Sequence, residues 1–205
     1  MEMTTIYTII GFALAGYSVI ANDSIQTLGT FIASKQKWFK WYTLASAASF
    51  VMILAITWGW YSNAGDISYG RLTRIPFQEI QWYHAVAPAI LLVLTRIGIP
   101  VSTTFLVLSA FASTVVLEKM LMKSVVGYGL AAVAAYICWI VVSKFINEKF
   151  DEVEDKWIGF WRNSVWVTSG WLWWVWLSHD VANIAVYLPR PVSYTHLTLP
   201  TILLV

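Results

Sequence analysis

Charge is what this sequence has least of. Lysine and arginine number 13 and aspartate and glutamate 11, so only 12% of the 205 residues are charged, against roughly 25% in ordinary soluble domains. That scarcity excludes a soluble globular chain, and the net charge of +2, carried in short basic clusters between apolar runs, excludes a nucleic-acid partner. One cysteine, Cys138, rules out an intrachain disulfide framework. The start, Met1-Glu2-Met3, has no basic n-region, so no cleavable signal is expected. Walker, G-x-G-x-x-G, C-x-x-C and H-E-x-x-H patterns are all missing, as is any nucleophile–base arrangement, which argues against an enzyme. No soluble domain and no low-complexity linker interrupts the chain.

What is abundant fits a polytopic membrane protein. Hydrophobic residues make up 59% and mean hydropathy is +0.65. Thirteen tryptophans flank apolar spans, where interfacial aromatic belts form. Residues 5–21 can enter a membrane as a helix. Asn22-Asp23 then halts the apolar run, and 24–33 resumes it. A crossing needs about 20 residues, so this pattern predicts one broken or re-entrant element, with its polar break lining a cavity. Lys35, Lys37 and Lys40, set among Trp38 and Trp41, form a basic aromatic anchor. By the positive-inside rule that loop is cytoplasmic and the N-terminus outside.

Further along, 41–61 is a full-length span and 62–81 a polar loop with Gly65, Gly70 and Pro76. Residues 82–97 are apolar and interrupted by Pro88. Another segment follows at 101–117, then a charged connection at 118–123. Residues 125–142 span again, with Gly127, Gly129, Ala131, Ala132, Ala134 and Ala135 suited to close helix packing. Residues 144–162 are charged and read as an aqueous helix or loop. A tryptophan-rich apolar segment, 164–177, leads into His179-Asp180. From Val192 to Thr201 the sequence resembles one reading frame of a common transposase sequencing adapter, so 191–205 is set aside as foreign. The expected organisation is a first transmembrane repeat with its charged loop over 1–163 and the start of a second over 164–190. A chain broken there would lack half the walls of its site and is not expected to transport by itself.

Two polar motifs look like copies of each other. In the first, Asp23 is followed three residues later by Gln26; in the second, Asp180 is followed three residues later by Asn183. That spacing puts carboxylate and carboxamide on one face of a helix. Ionisable groups at membrane depth are functional candidates by default, and related motifs in two halves suggest a repeat-built transporter with its site where the repeats meet. Asp23, Asp180 and Gln26 are candidate cation ligands, with Thr27 beside them; sodium favours such hard oxygens. The plainer alternative for both aspartates is a helix cap. Pro100-Val101-Ser102-Thr103-Thr104 places three hydroxyls and free backbone N–H groups at a helix start, an anion site or an ordinary N-cap. His179 is either proton-linked or structural. Arg96 either snorkels or balances an anion, His84 reads as interfacial, and the acidic run 151–155 as a solvated face.

The stretch Asn22-Asp23-Ser24-Ile25-Gln26-Thr27-Leu28-Gly29-Thr30 resembles the G-A-N-D-V-A-N-A-F-G-T signature of the inorganic phosphate transporter (Pit-type phosphate permease) family. Ala21, Asn22, Asp23, Gly29 and Thr30 match it and Gln26 stands at an asparagine position. Gly98-Ile99-Pro100-Val101-Ser102-Thr103-Thr104 is similar to that family's G-x-P-V-S-T-T-H, and Ser178 to Asn183 to its second A-N-D-V-A-N copy. Ile20, Phe105, His179 and Val186 depart from the pattern. The resemblance implies an all-α polytopic membrane protein with broken or re-entrant helices, built as an inverted-repeat transporter. It would sit in the plasma (inner) membrane and leave room for a homodimer. It implies phosphate as substrate, held by Ser102, Thr103 and Thr104 with Asn22 and Asn183, and sodium or a proton as coupling ion at Asp23, Asp180 and Gln26, with no further cofactor. Two other readings stay open: a carrier of another oxyanion such as sulfate, and a non-transport membrane sensor or assembly subunit.

Overall fold

A computed structural model describes residues 3–99, 101–146 and 155–189. The described residues are helical and contain no strand. Three helices are long and apolar enough to cross a membrane: α1 (Met3–Lys35), α2 (Trp41–Ser62) and the segment Thr114–Lys144 built on α5 (Thr114–Val141). Two short helices, α3 (Val86–Arg96) and α4 (Thr103–Leu108), precede α5, and α6 (Asp155–Asp180) and α7 (Ala182–Ala185) follow it.

α1 corrects the expectation of a break at Asn22-Asp23. It runs unbroken for 33 residues, about 50 Å at 1.5 Å per residue. Each polar group here finds a partner that leaves the helix intact. Ser24 Oγ donates to the Ala21 carbonyl one turn back at 3.1 Å, and Asn22 Nδ2 donates to the Val101 carbonyl at 3.1 Å. No proline or left-handed residue is present to end the helix, and neighbouring elements supply what a break would have exposed.

The broken element lies instead at 86–113. α3 spans about 16 Å and α4 about 9 Å by their lengths, each well short of the ~30 Å hydrocarbon thickness. Gly98, at φ +80°, reverses the chain between them. Pro88 does not interrupt α3: it stands in the first turn, where its missing N–H has no partner to lose. The expected segment 101–117 is divided by extended backbone at Ala112. Gln78 Nε2 donates to the Phe111 carbonyl at 3.1 Å, capping the end of that piece. The charged stretch 118–123 is then no connection but part of α5. Glu, Lys, Met and Leu are all strong helix formers, so its charges do not break the helix.

α1 is the centre of the fold, touching α3, α4, α6 and α7. α1 and α6–α7 run antiparallel: Phe31 meets Trp166 edge-on at 4.8 Å, Leu28 shares a core with Trp173, and Gly11 lies under the ring of Tyr187. α2 lies along α6, tied by Trp173 Nε1 donating to the Ala48 carbonyl at 3.1 Å. The larger core gathers Ala15, Val19, Leu91, Val107, Phe111 and Tyr187. His84, expected at the interface, is instead inside it, fully buried. It stacks on Phe111 at 4.2 Å, its Nδ1 accepts from the Gln81 N–H, and its carbonyl accepts from Tyr187 Oη at 2.7 Å. A 3₁₀ turn over Trp82–Ala85 puts it there, closed by a reciprocal Gln81–His84 capping box. α5 has no buried residue. Pro100, most of the acidic run, and the adapter-like stretch after Pro189 lie outside the described residues.

Candidate functional site

The three polar motifs, far apart in sequence, meet at one place. α1 carries Asn22, Asp23 and Gln26 there. The reversal after Gly98 delivers Val101 and the hydroxyls that open α4, and the end of α6 with α7 brings Asp180 and Asn183.

The Val101 carbonyl is the hinge of the arrangement. It accepts from both Asn22 Nδ2 and Gln26 Nε2, at 3.1 and 3.2 Å. Position 101 sits in the non-helical reversal, so this carbonyl has no helical partner, and two carboxamides one turn apart on α1 take it up. Thr95, at the end of α3, donates to Asn22 Oδ1 at 3.4 Å, so Asn22 straps α1 to both sides of the reversal. Asn22 also donates to Asp23 Oδ1 at 3.3 Å.

Asp180 is held by hydroxyls. Thr103 Oγ1 donates to its Oδ2 and Thr104 Oγ1 to its Oδ1, both at 2.9 Å. Asn183 Nδ2 donates onward to the same hydroxyl oxygens at 3.2 and 3.3 Å. Each threonine thus gives one hydrogen bond and receives one. Ser102 does something different: it caps α4, accepting from the Phe105 N–H at 3.3 Å.

Asp23, 1% exposed, and Asp180, 8% exposed, face each other closely enough for their charges to interact, with Trp176 beside them. Two buried like charges repel unless a cation or proton comes between them. Around them lie oxygens with no hydrogen-bond partner: Asp23 Oδ2, Asn183 Oδ1 and, one turn along α1, Thr27 Oγ1. Among the described residues no group of three or more His, Cys, Asp or Glu is arranged to hold a metal ion. The donor set is two carboxylates with carboxamide and hydroxyl oxygens, which suits a hard monovalent ion better than a soft metal.

A cavity of about 630 Å³ opens over this cluster. Thr103, Thr104 and Asp180 form its floor, and Arg71, Lys123 and His179 supply basic groups. An Arg71 guanidinium N–H points at His179 Nδ1. Arg71 gets there because Asp66 shapes the loop before it, accepting from the Ser68 and Gly70 N–H groups at 2.7 and 2.9 Å.

All eight candidate residues therefore fall in or beside one cluster, but with different surroundings. Gln26 lines the cavity and is tied to Val101 rather than to either carboxylate. Asn22 and Asn183 are buried and bridge protein groups. Arg96 lies outside the cluster, its Nη2 donating to Tyr17 Oη at 2.7 Å. Sequence reasoning missed Arg71, Lys123, Thr95 and Trp176. None belongs to a motif, and only the folded chain brings Arg71 and Lys123 over the same floor. No protein-family model, curated protein or solved structure matches this chain.

Proposed function

We propose that this chain is the substrate-binding part of a secondary transporter, of the Pit-type phosphate permease kind, that carries inorganic phosphate with sodium or a proton. One observation carries the reading. Asp23 and Asp180, from two copies of one motif on antiparallel helices, meet beside the Thr103 and Thr104 hydroxyls under a cavity that holds Arg71 and Lys123. Antiparallel copies of a motif are what an inverted repeat would produce. By the positive-inside rule Lys37 and Lys40 favour a cytoplasmic loop there, with the N-terminus outside, and the resemblance favours the plasma (inner) membrane.

The chemistry follows from the charges. An oxyanion placed about 4 Å from a carboxylate meets repulsion on the order of 4 kcal/mol per charge pair at an effective dielectric of 20. A cation between Asp23 and Asp180 removes that barrier. It also competes with the threonine hydroxyls for Asp180, so that Thr103 and Thr104 become free to donate to the oxyanion. Cation binding thereby precedes and enables anion binding, and alternating access around the pair moves both. Arg71 and Lys123 set the sign of what enters.

The test is radiolabelled phosphate binding to the purified chain in lipid nanodiscs, with sodium or with choline. Binding is expected to need sodium or low pH, and Asp23→Asn or Asp180→Asn should remove that requirement, leaving phosphate binding that no longer responds to sodium. Phosphate binding indifferent to cation and to both substitutions removes the proposal. Sulfate competing as well as phosphate does would favour the broader oxyanion carrier. An absence of any anion binding, with both aspartates tolerating alanine, would favour the sensor or assembly subunit.

A further inference from the structure

A second cavity, of about 590 Å³, lies between α1, α2 and α6 and shares no lining residue with the first. We propose that it is a binding site for one anionic phospholipid, whose acyl chain lies along the cleft and whose phosphate is held at Lys40.

The walls are apolar for most of their length: Leu28 and Ile32 from α1, Val51 and Met52 from α2, Trp166 and the bare backbone of Gly170 from α6. Along α1 the cleft runs from Ile20 to Gln36, about 24 Å at 1.5 Å per residue. Its apolar part, Ile20 to Ile32, covers about 18 Å, close to one leaflet of a ~30 Å hydrocarbon core. Ser24, Ser49 and Ser169 are dotted along these walls, but charge among the described residues stands at one end only. There Gln36, Lys40 and Trp41 line the mouth, and among the described residues no acidic one lines the cleft.

That end has the marks of a membrane interface. Trp38 and Trp41 are exposed, as is Lys37. Lys40, the residue before α2, lines the mouth, and its Nζ sits 5.7 Å from the centroid of the exposed Tyr42 ring, with no carboxylate partner among the described residues. A basic group closing an apolar cleft between membrane-length helices matches a lipid whose head is anionic and whose tail needs one leaflet of depth. Free phosphate would use the lysine but leave the apolar depth unfilled, and a zwitterionic lipid would bring its own cation up beside the lysine. This site does not rest on the transport reading.

The experiment reconstitutes the full chain in vesicles of equal phosphatidylcholine and phosphatidylglycerol. A trace of either lipid carries a photoactivatable acyl chain, and cross-linked residues are mapped by mass spectrometry. The phosphatidylglycerol probe should label the cleft around Leu28, Ile32 and Met52. Lys40→Gln should lower that labelling about fivefold, the worth of one basic residue at an anionic surface, and Lys40→Arg should keep it. Gly170→Leu should abolish cleft labelling by filling the space. A Cβ there makes only ordinary contact with Val51, at 3.9 Å, and Gly170→Ala, which adds that atom alone, should keep the labelling; circular dichroism checks that both variants fold. Equal cleft labelling by both lipids, no effect of Lys40→Gln, displacement by excess inorganic phosphate, or cross-links from the cleft to polypeptide would each overturn the assignment.

Discussion

The bonds from Thr103 and Thr104 to Asp180 make the sharpest test of how the site is built. Both are 2.9 Å, and the acceptor carboxylate is nearly enclosed. Hydrogen bonds to charged groups contribute about 1.5–3 kcal/mol, while polar pairs in membrane proteins average about 0.6 and reach about 1.7 kcal/mol in double-mutant cycles. A cycle of Thr104→Val with Asp180→Asn should therefore return a coupling of about 1–2 kcal/mol, at the top of the membrane range because the acceptor is charged. The Thr103 cycle should be similar. The two will not add, since Asn183 donates to both hydroxyls and ties them into one network. Thr95→Val with Asp180→Asn is the control: Thr95 bonds Asn22 and Leu91 and not Asp180, so its coupling should be near zero. Stability is read by titrating the micellar protein with dodecyl sulfate and following tryptophan fluorescence. If cation binding competes for Asp180, saturating sodium should shrink the Thr104–Asp180 coupling. Couplings under about 0.5 kcal/mol in both threonine cycles, the ordinary scatter of independent sites, would refute the hydroxyl–carboxylate network and the coupling mechanism built on it.

Gly11→Ala drives a Cβ into the Tyr187 ring, and should cost about 1–3 kcal/mol of overpacking; Gly16→Ala on the same helix meets nothing within 4 Å and should stabilise by about 0.5–1 kcal/mol, both read by the same titration. Arg71→Gln and Lys123→Gln should each weaken phosphate binding about five- to tenfold at low salt, less at high salt, without changing the sodium affinity of the aspartate pair, as measured by phosphate and sodium titrations in parallel. Asn22→Ala should loosen the strap to Val101 and Thr95 and cost about 1–3 kcal/mol, since the Val101 carbonyl keeps only Gln26, whereas Gln26→Ala, the more exposed of the pair, should cost less.

How much of this was legible in the sequence depends on whether a property is local. Hydropathy and aromatic placement give the membrane character, the span of α2 and the apolar stretch 125–142 within α5, because hydropathy is written residue by residue; α1 is read from them only as a broken element. The aspartate–carboxamide spacing picks out Asp23, Gln26, Asp180 and Asn183 because helical periodicity alone puts each pair on one face. Breaks are harder to read. Asn22-Asp23 looks like a stop within an apolar run, yet the helix continues, because the groups that satisfy its side chains come from Val101 and Thr95, more than 70 residues away. The real break after Arg96 depends on Gly98 taking a positive φ, and the one at Ala112 on Gln78 reaching the Phe111 carbonyl. His84 escapes for a similar reason: beside Trp82 and Tyr83 it looks interfacial, and only the stack on Phe111 and the bond from Tyr187 draw it inside. Arg71 and Lys123 carry no local signal at all. Their charges matter only because a loop shaped by Asp66 and a helix that passes straight through 118–123 bring them over one floor. Motifs thus name the groups that bind, and tertiary contacts decide which charges face them. In a site with two buried carboxylates, it is those facing charges that determine whether an anion can enter.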